Sequence, residues 1–180
     1  MRKRLNITSL AAEQGNAWGQ CNLGVMYEYG QGVAQSDEKA VEYYQLAAKQ
    51  GDARGQCNLG VMYAQGKGVA QSDEKAVEYY QLAAEQGDSR GQCYLGLMYE
   101  YGQGAAQSDE KAVKYYQLAA EQGDARGQCN LGVMYAQGKG VAQSDEKAVK
   151  YYQFGRKAGS CERSVQPGCY VYKWSRRSTK

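Results

Sequence analysis

The chain of 180 residues repeats itself every 36 residues, and this period limits its fold more than any other feature. Four consecutive units occupy 15–50, 51–86, 87–122 and 123–158, and the second unit matches both the first and the fourth at 30 of 36 positions. A unit of this length cannot bury a core of its own, so the units must stack on their neighbours. The pattern predicts an array with a remnant of a preceding helix at 1–14 and a degenerate basic segment at 159–180.

A second period of 72 residues is superimposed on the first. Units one and three read Glu-Tyr-Gly-Gln-Gly at 28–32 and 100–104. Units two and four read Ala-Gln-Gly-Lys-Gly at 64–68 and 136–140. The array therefore consists of two similar pairs of units.

The second unit predicts two helices joined by a short loop. Asp52 is a favourable N-cap for a first helix, called helix A, over 53–65. Gly66 and Gly68 follow and supply the positive φ that a helix end and a tight loop require. Ser72 then caps a second helix, called helix B, whose acidic first turn suits the helix dipole. Helix B runs to the glycine that opens the next unit.

Helical periodicity separates an inward from an outward face on each helix. On helix A of unit two the predicted inward residues are Gly55, Gln56, Leu59, Gly60 and Tyr63. On helix B they are Ala76, Tyr80, Ala83 and Gly87. A glycine inside a helix costs about 1 kcal/mol against alanine. Its recurrence in every unit at the positions of Gly55 and Gly60 therefore indicates that a neighbouring helix approaches closely.

Two recurrent strings carry a family resemblance. They are Ala-x-x-Gly-x-x-x-Gly-Gln-x-x-Leu-Gly-x-x-Tyr-x-x-Gly-x-Gly-Val and Lys-Ala-x-x-Tyr-Tyr-x-x-Ala-Ala. Across the boundary between units two and three the residues that carry them are Ala84, Gly87, Gly91, Gln92, Leu95, Gly96 and Tyr99. Within unit two they are Gly66, Gly68, Val69, Lys75, Ala76, Tyr79, Tyr80 and Ala83. The chain resembles the Sel-one-like repeat (SLR) family, a relative of tetratricopeptide repeats. The resemblance implies an all-α, right-handed α-solenoid of antiparallel helix pairs. It also implies a non-enzymatic scaffold for protein complexes, with helix A lining the concave side.

One face of helix A collects the substitutions between otherwise near-identical units. Three arginines align along it, and Trp, Tyr and Arg are the residue types that dominate interface energies. We expect this face to hold an extended peptide or a partner helix, with acidic groups opposite the arginines. A solvated face with scattered aromatic residues is the alternative. The candidate partner-binding residues are Trp18, Asn22, Tyr29, Arg54, Asn58, Gln65, Arg90, Tyr94, Tyr101, Arg126, Asn130 and Gln137.

The composition excludes several kinds of chemistry. The chain has no histidine, so neither a Ser-His-Asp nor a Cys-His nucleophile can form, and imidazole cannot serve as a metal ligand. Each unit carries one cysteine, at Cys21, Cys57, Cys93 and Cys129, on helices stacked about 8–10 Å apart. A disulfide needs Cα atoms within ~7 Å, so this ladder is expected to stay reduced and partly buried. We expect no metal and no cofactor, whereas Cys161 and Cys169 could close a small loop.

A Ser-x-x-Lys motif begins every helix B and offers a remote alternative, a serine hydrolase. Its copies are Ser36/Lys39, Ser72/Lys75, Ser108/Lys111 and Ser144/Lys147. The Ser-Asp-Asn and Lys-Thr-Gly elements that accompany this motif in such enzymes do not occur in the sequence. We therefore expect the serines to be N-caps and the protein not to be an enzyme.

The two ends carry the positive charge of the chain, which is +3 overall. Basic residues cluster at Arg2, Lys3 and Arg4, and at Lys173, Arg176, Arg177 and Lys180, with Tyr170, Tyr172 and Trp174 among the latter. Such segments suit nucleic acid or an acidic surface, which is a second alternative function. We expect a monomer. We also expect a reducing, cytoplasmic compartment, because neither a signal peptide nor a long apolar segment is evident.

Overall fold

In a computed structural model, the structure describes residues 2–157, and that stretch contains nine α-helices and no strand. The helices are α1 Arg2–Glu13, α2 Ala17–Tyr29, α3 Asp37–Lys49, α4 Ala53–Gln65, α5 Asp73–Glu85, α6 Ser89–Tyr101, α7 Asp109–Glu121, α8 Ala125–Gln137 and α9 Asp145–Lys157. Helices α2, α4, α6 and α8 are the A helices, and α3, α5, α7 and α9 are the B helices.

The helices pack in the order in which they follow one another along the chain. The two helices of each unit pack together, each helix B also contacts helix A of the next unit, and A helices of adjacent units touch. Helix α1 packs on α2 in the place of a preceding helix B. It extends back to Arg2, beyond residues 9–14, whose sequence matches the end of helix B. The all-α solenoid of consecutive helix pairs is confirmed, while its handedness stays a prediction.

Local rules place the helix ends where the sequence predicts them. In unit two the Asp52 carboxylate accepts from the Gly55 backbone N–H at 2.6 Å, and helix A runs over Ala53–Gln65. Gly66 ends that helix with a φ of 64°. The Ser72 hydroxyl accepts from the Lys75 N–H at 3.2 Å and starts helix B. Equivalent caps recur in the other units, with Asn16 in place of the aspartate in unit one, which explains why the array is so regular.

Two helical glycines in each unit let helices approach closely. A Cβ placed on Gly60 would lie 2.7 Å from the ring of Tyr80 on helix B of the same unit. A Cβ on Gly55 would lie 2.7 Å from Cβ of Ala47 on the preceding helix B. Both distances are shorter than packed carbon atoms tolerate, so the predicted close approach is confirmed.

The predicted inward position of Gly87 is wrong. Helix B of unit two ends at Glu85, and Gly87 is exposed with a φ of +83°. A Cβ placed on Gly87 would meet no other atom within 4 Å. The helical period therefore stops two residues before this glycine. Gly87 serves the turn between units through its left-handed backbone and has no part in packing.

Each loop rests on the unit before it. The backbone of Gly68, in the loop of unit two, lies directly against the backbone of Asp37 at the start of α3. Gly104 and Gly140 make the same contact with Asp73 and Asp109. No side chain fits between these two backbones, so the loops of units two to four pack directly on the preceding unit.

A buried glutamine on the helix A of each of the first three units links successive helices by hydrogen bonds. Gln56 is 5% exposed, accepts from the Gln86 side chain at 2.7 Å and donates to the Ala48 carbonyl at 3.4 Å. Gln92 makes the equivalent bonds with Gln122 and Ala84. The amide therefore satisfies its own buried polar atoms while it connects three helices.

A row of exposed apolar side chains lies along α1 and the four B helices, with one residue in each. The row comprises Leu10, Leu46, Leu82, Leu118 and Phe154, which are spaced 36 residues apart. The predicted inward faces do not include this row.

Candidate functional site

The arginine row on the A helices is tied to the unit before it. Arg54 donates to Asn22 Oδ1 at 3.3 Å, and Arg90 donates to Asn58 Oδ1 at 2.9 Å. Arg126 donates to the Tyr94 hydroxyl at 2.9 Å. Each arginine therefore reaches back 32 residues, and its acceptor fixes the direction of the guanidinium group.

Asn58 is more deeply placed than its assignment to an outward face implies. It is 8% exposed, and its amide nitrogen lies 3.8 Å from the Cys21 sulfur while its oxygen accepts from Arg90. Asn130 makes the equivalent contact with Cys93 at 3.8 Å. Both asparagines were predicted to contact a partner, but both are engaged between units, and Asn58 also holds Arg90 in place.

Arg126 is the most strongly engaged member of the row. Its guanidinium carbon lies 4.9 Å from the Tyr94 ring centroid, and its terminal nitrogen lies 3.5 Å from the Asp124 carboxylate. Burial alone would lower the pKa of Arg126, but Tyr94, Cys93 and Asp124 raise it above its ordinary value. By contrast, Arg54 is exposed and bonds more loosely, so it remains more accessible to a ligand.

A cavity of about 470 Å³ opens on the A helices of units one to three. Six of the predicted partner-binding residues line it, namely Tyr29, Arg54, Asn58, Gln65, Arg90 and Tyr94. The remaining lining residues are Val25, Glu28, Gln35, Val61 and Lys67. We call this the A-helix cavity.

The other six predicted residues lie outside the A-helix cavity. Trp18 is 55% exposed at the position that arginine occupies in the later units. Asn22 is the acceptor for Arg54, and Arg126 and Asn130 are engaged between the units beyond the cavity. Tyr101 and Gln137 are exposed on α6 and α8.

Five lining residues were not among the predicted partner-binding residues. Val25 and Val61 lie on the predicted face of helix A, and the other three were missed for different reasons. Glu28 and Lys67 occupy positions that alternate between odd and even units, as Glu28 against Ala64 and Lys67 against Gln31. That alternation was the only signal for them, and it equally indicates the duplication of a pair of units. Gln35 recurs in every unit and therefore carried no signal at all.

The charges in the A-helix cavity favour an anionic ligand. Arg54, Lys67 and Arg90 supply three cations, while Glu28 supplies the one carboxylate among the lining residues. The Glu28 carboxylate accepts from the hydroxyl of the buried Tyr44 at 2.5 Å, which holds it in place. Half-buried valines and the ring of Tyr29 add apolar surface. The arrangement suits a carboxylate that stands beside an apolar side chain.

The Ser-x-x-Lys copies are occupied by helix capping. The Ser72 hydroxyl accepts from the Lys75 N–H at 3.2 Å and donates to the Glu74 carboxylate at 3.0 Å. The Lys75 ammonium lies 5.1 Å from the Tyr63 ring centroid, in a cation–π contact. The serine hydrolase alternative therefore finds no support in this geometry.

The cysteines on the first three A helices are buried free thiols. Cys21, Cys57 and Cys93 are unpaired, as predicted. Cys129 is in a disulfide, so the prediction that all four thiols stay reduced is wrong for the fourth unit. Burial raises the pKa of each thiol from 9.0 to about 12. Thiols of this kind are poor nucleophiles. The proposed pairing of Cys161 and Cys169 lies outside the described residues.

The described residues hold neither a candidate metal cluster nor a candidate membrane-spanning helix. Within that part of the chain no group of three or more His, Cys, Asp or Glu side chains could hold a metal ion. No helix in 2–157 is long and apolar enough to cross a membrane. The basic residues of the C-terminal segment lie outside the described range, so the second alternative function has no structural support.

Similarity to solved structures agrees with the fold. A Sel1 repeat protein from Oxalobacter formigenes is 35% identical over 85% of this chain and 61% of its own, with a TM-score of 0.80. A protective antigen of uropathogenic Escherichia coli with an SLR fold is 37% identical over 86% of this chain and 33% of its own, also with a TM-score of 0.80. This chain thus spans about three fifths and one third of those two proteins.

A third structure is similar over a smaller share of this chain. Helicobacter pylori cysteine rich protein B is 30% identical over 68% of this chain and 88% of its own, with a TM-score of 0.55. No curated protein is similar enough in sequence to count as a relative.

The family model settles what these structures share. The Sel1 repeat matches four times, at residues 19–52, 53–88, 89–124 and 125–160. These matches start a few residues later than the 36-residue units defined above, which changes the phase of the repeat but not its number. The chain belongs to the Sel1 repeat family, whose members are generally non-enzymatic scaffolds for protein–protein interaction.

Proposed function

We propose that this protein is a scaffold that binds an extended, acidic peptide segment of a partner protein in the A-helix cavity. The observation that carries the proposal is the cavity itself, which three cations line together with valine and tyrosine side chains. Residues of units one, two and three all contribute to it, so the array supplies the site and no unit could supply it alone.

The fixed direction of the arginines supports binding over mere solvation. A free surface arginine loses side-chain entropy when it binds a carboxylate. Arg90 is already held by Asn58, so most of that loss is incurred during folding. Preorganisation of this kind favours affinity and restricts the ligand to one orientation.

The experiment compares two triple charge reversals. Arg54→Glu, Arg90→Glu and Lys67→Glu together remove the cations of the cavity. Lys49→Glu, Lys114→Glu and Lys150→Glu together change the net charge by the same amount at exposed positions on the B helices. Helical circular dichroism spectra establish that both proteins fold.

Binding is measured by fluorescence polarisation with a labelled Gly-Ser peptide that contains one Phe-Glu pair. The cavity variant should lose at least tenfold in affinity, whereas the control should stay within about twofold at 0.15 M salt, where distant charges are screened. Equal losses in both variants would mean that net charge, and not the cavity, attracts the peptide.

A further inference from the structure

The A-helix cavity has a second copy of its lining 72 residues farther along the chain. Nine of its eleven lining positions have a counterpart among the described residues, and eight of the nine are the same residue type. The counterparts are Leu97, Glu100, Tyr101, Gln107, Arg126, Asn130, Val133, Gln137 and Lys139, of which Leu97 replaces Val25. The positions 72 residues beyond Arg90 and Tyr94 carry Glu162 and Gln166, outside the described residues, so the second copy lacks the third cation.

The side-chain geometry recurs together with the residue types. The Tyr116 hydroxyl donates to Glu100 at 2.6 Å, as Tyr44 donates to Glu28 at 2.5 Å. Tyr101 is 64% exposed, against 63% for Tyr29. The second lining is therefore built in the same way as the first.

The intervening unit cannot provide a third copy of this lining. Unit two carries Ala64 and Gln65 where units one and three carry Glu and Tyr. Ala64 has no carboxylate to accept from Tyr80, whose ring stacks on Tyr94 at 5.1 Å instead. The residue types on this face of the A helices thus repeat every two units, although the fold repeats every unit.

The two copies differ in the freedom of their arginines. Arg54 is exposed and reaches Asn22 at 3.3 Å. Its counterpart Arg126 bonds to Tyr94 at 2.9 Å and pairs with Asp124 at 3.5 Å, because unit three has tyrosine where the other units have asparagine. The second copy accordingly presents Lys139 as its freer cation and should bind the same group more weakly.

We propose that the face formed by the A helices has two subsites that bind the same kind of acidic group. The strong subsite is formed by Arg54, Lys67 and Arg90, and the weaker one by Arg126 and Lys139. The proposal rests on the proposed function and specifies the ligand further. The partner is an extended peptide that carries two acidic residues, each beside an apolar one.

The spacing of those residues follows from the array. Adjacent A helices touch, and packed helices lie about 8–10 Å apart, so two units span roughly 20 Å. An extended chain rises about 3.3 Å per residue. The two acidic residues should therefore stand about six residues apart.

The test uses three labelled Gly-Ser peptides and fluorescence polarisation. One peptide carries a single Phe-Glu pair, one carries two pairs six residues apart, and one carries two pairs three residues apart. Once a peptide is held at one subsite its second pair binds intramolecularly, so the six-residue peptide should bind about tenfold more tightly than the single-pair peptide. The three-residue peptide should gain no more than the statistical twofold.

Three single charge reversals assign the subsites. Lys139→Glu should abolish the gain of the six-residue peptide and leave the single-pair peptide almost unchanged. Lys67→Glu should weaken both peptides. Lys114→Glu, on the exposed face of α7, is the matched control and should change neither.

The outcomes separate this inference from the proposed function. If the six-residue peptide gains nothing, or keeps its gain in Lys139→Glu, the second subsite does not exist, while binding at the first stands. If the single-pair peptide does not bind, or binds equally well to Lys67→Glu, the proposed function fails and the second subsite fails with it.

Discussion

Arg90 donates a hydrogen bond to Asn58 Oδ1 at 2.9 Å, from helix A of one unit to helix A of the unit before. The acceptor is buried and the donor lines the A-helix cavity. This bond connects the packing between units to the orientation of a cation in the candidate site.

Asn58→Ala should destabilise the protein by about 1–2 kcal/mol, because it leaves the half-buried guanidinium group of Arg90 without its acceptor. Urea unfolding followed by circular dichroism measures the change. Asn22→Ala is the matched control. Its bond to Arg54 is longer, at 3.3 Å, and Arg54 is exposed, so its loss should stay below about 0.5 kcal/mol. Equal losses would contradict the distinction between the two arginines.

Gly60→Leu should cost about 3 kcal/mol, because the new side chain overlaps the ring of Tyr80. The free energy of unfolding in urea gives the magnitude. Combining it with Tyr80→Leu tests the contact directly, since residues that touch do not have additive effects. The double variant should lose less than the sum of the two single variants. Strict additivity would mean that Gly60 does not face this ring.

The buried thiols should resist alkylation in the folded protein. Burial raises the pKa of Cys21 and Cys93 to about 12, so almost no thiolate forms at pH 8. Iodoacetamide labelling followed by mass spectrometry of tryptic peptides should show both labelled in 8 M urea and nearly unlabelled in buffer. These two cysteines lie in tryptic peptides of unique sequence, whereas the peptides that contain Cys57 and Cys129 are identical in sequence and cannot be told apart by mass. Rapid labelling in buffer would refute their burial.

Stability should fall as the pH rises above 9. A thiol with a pKa of 9.0 when unfolded and about 12 when folded is protonated in both states below pH 9. Between those values the unfolded chain loses the proton and the folded chain keeps it, so a rising pH favours unfolding. Burial also raises the pKa of Tyr44 and of Tyr116, which adds to the effect.

Thermal melts from pH 7 to 11 measure this dependence. The Tm should be nearly constant up to pH 8 and should decline from pH 9 onward. A Cys21→Ala/Cys57→Ala/Cys93→Ala variant is the control and should decline less steeply. A Tm that does not change between pH 8 and 11 would count against the burial of these groups.

The features that sequence could predict are those governed by local rules. Asp52, Ser72 and Gly66 act within one turn of a helix end, so their roles follow from residue type and spacing. Gly60 was predictable for another reason. A costly glycine that recurs in every unit requires a packing partner, and the period of the helix indicates on which side it lies.

The candidate site was harder to predict because it depends on contacts between units. Arg90 and Asn58 are 32 residues apart, and their bond depends on how far one unit shifts against the next. The position of the cavity over units one to three depends on a few substitutions, including Lys67 and Tyr94. The face of helix A was predicted from the clustering of substitutions, but the enclosed part of that face was not.

The loop contacts also bear on how such an array changes in length. Gly68 meets the backbone of Asp37, and Gly140 meets that of Asp109, through main-chain atoms that are the same in every unit. Deleting 51–122 would bring Gly140 against Asp37 in an unchanged register. These loop contacts are therefore equivalent between units. A pair of units can be gained or lost without any sequence change at the loop contacts that remain. The number of binding positions can then vary independently of the fold.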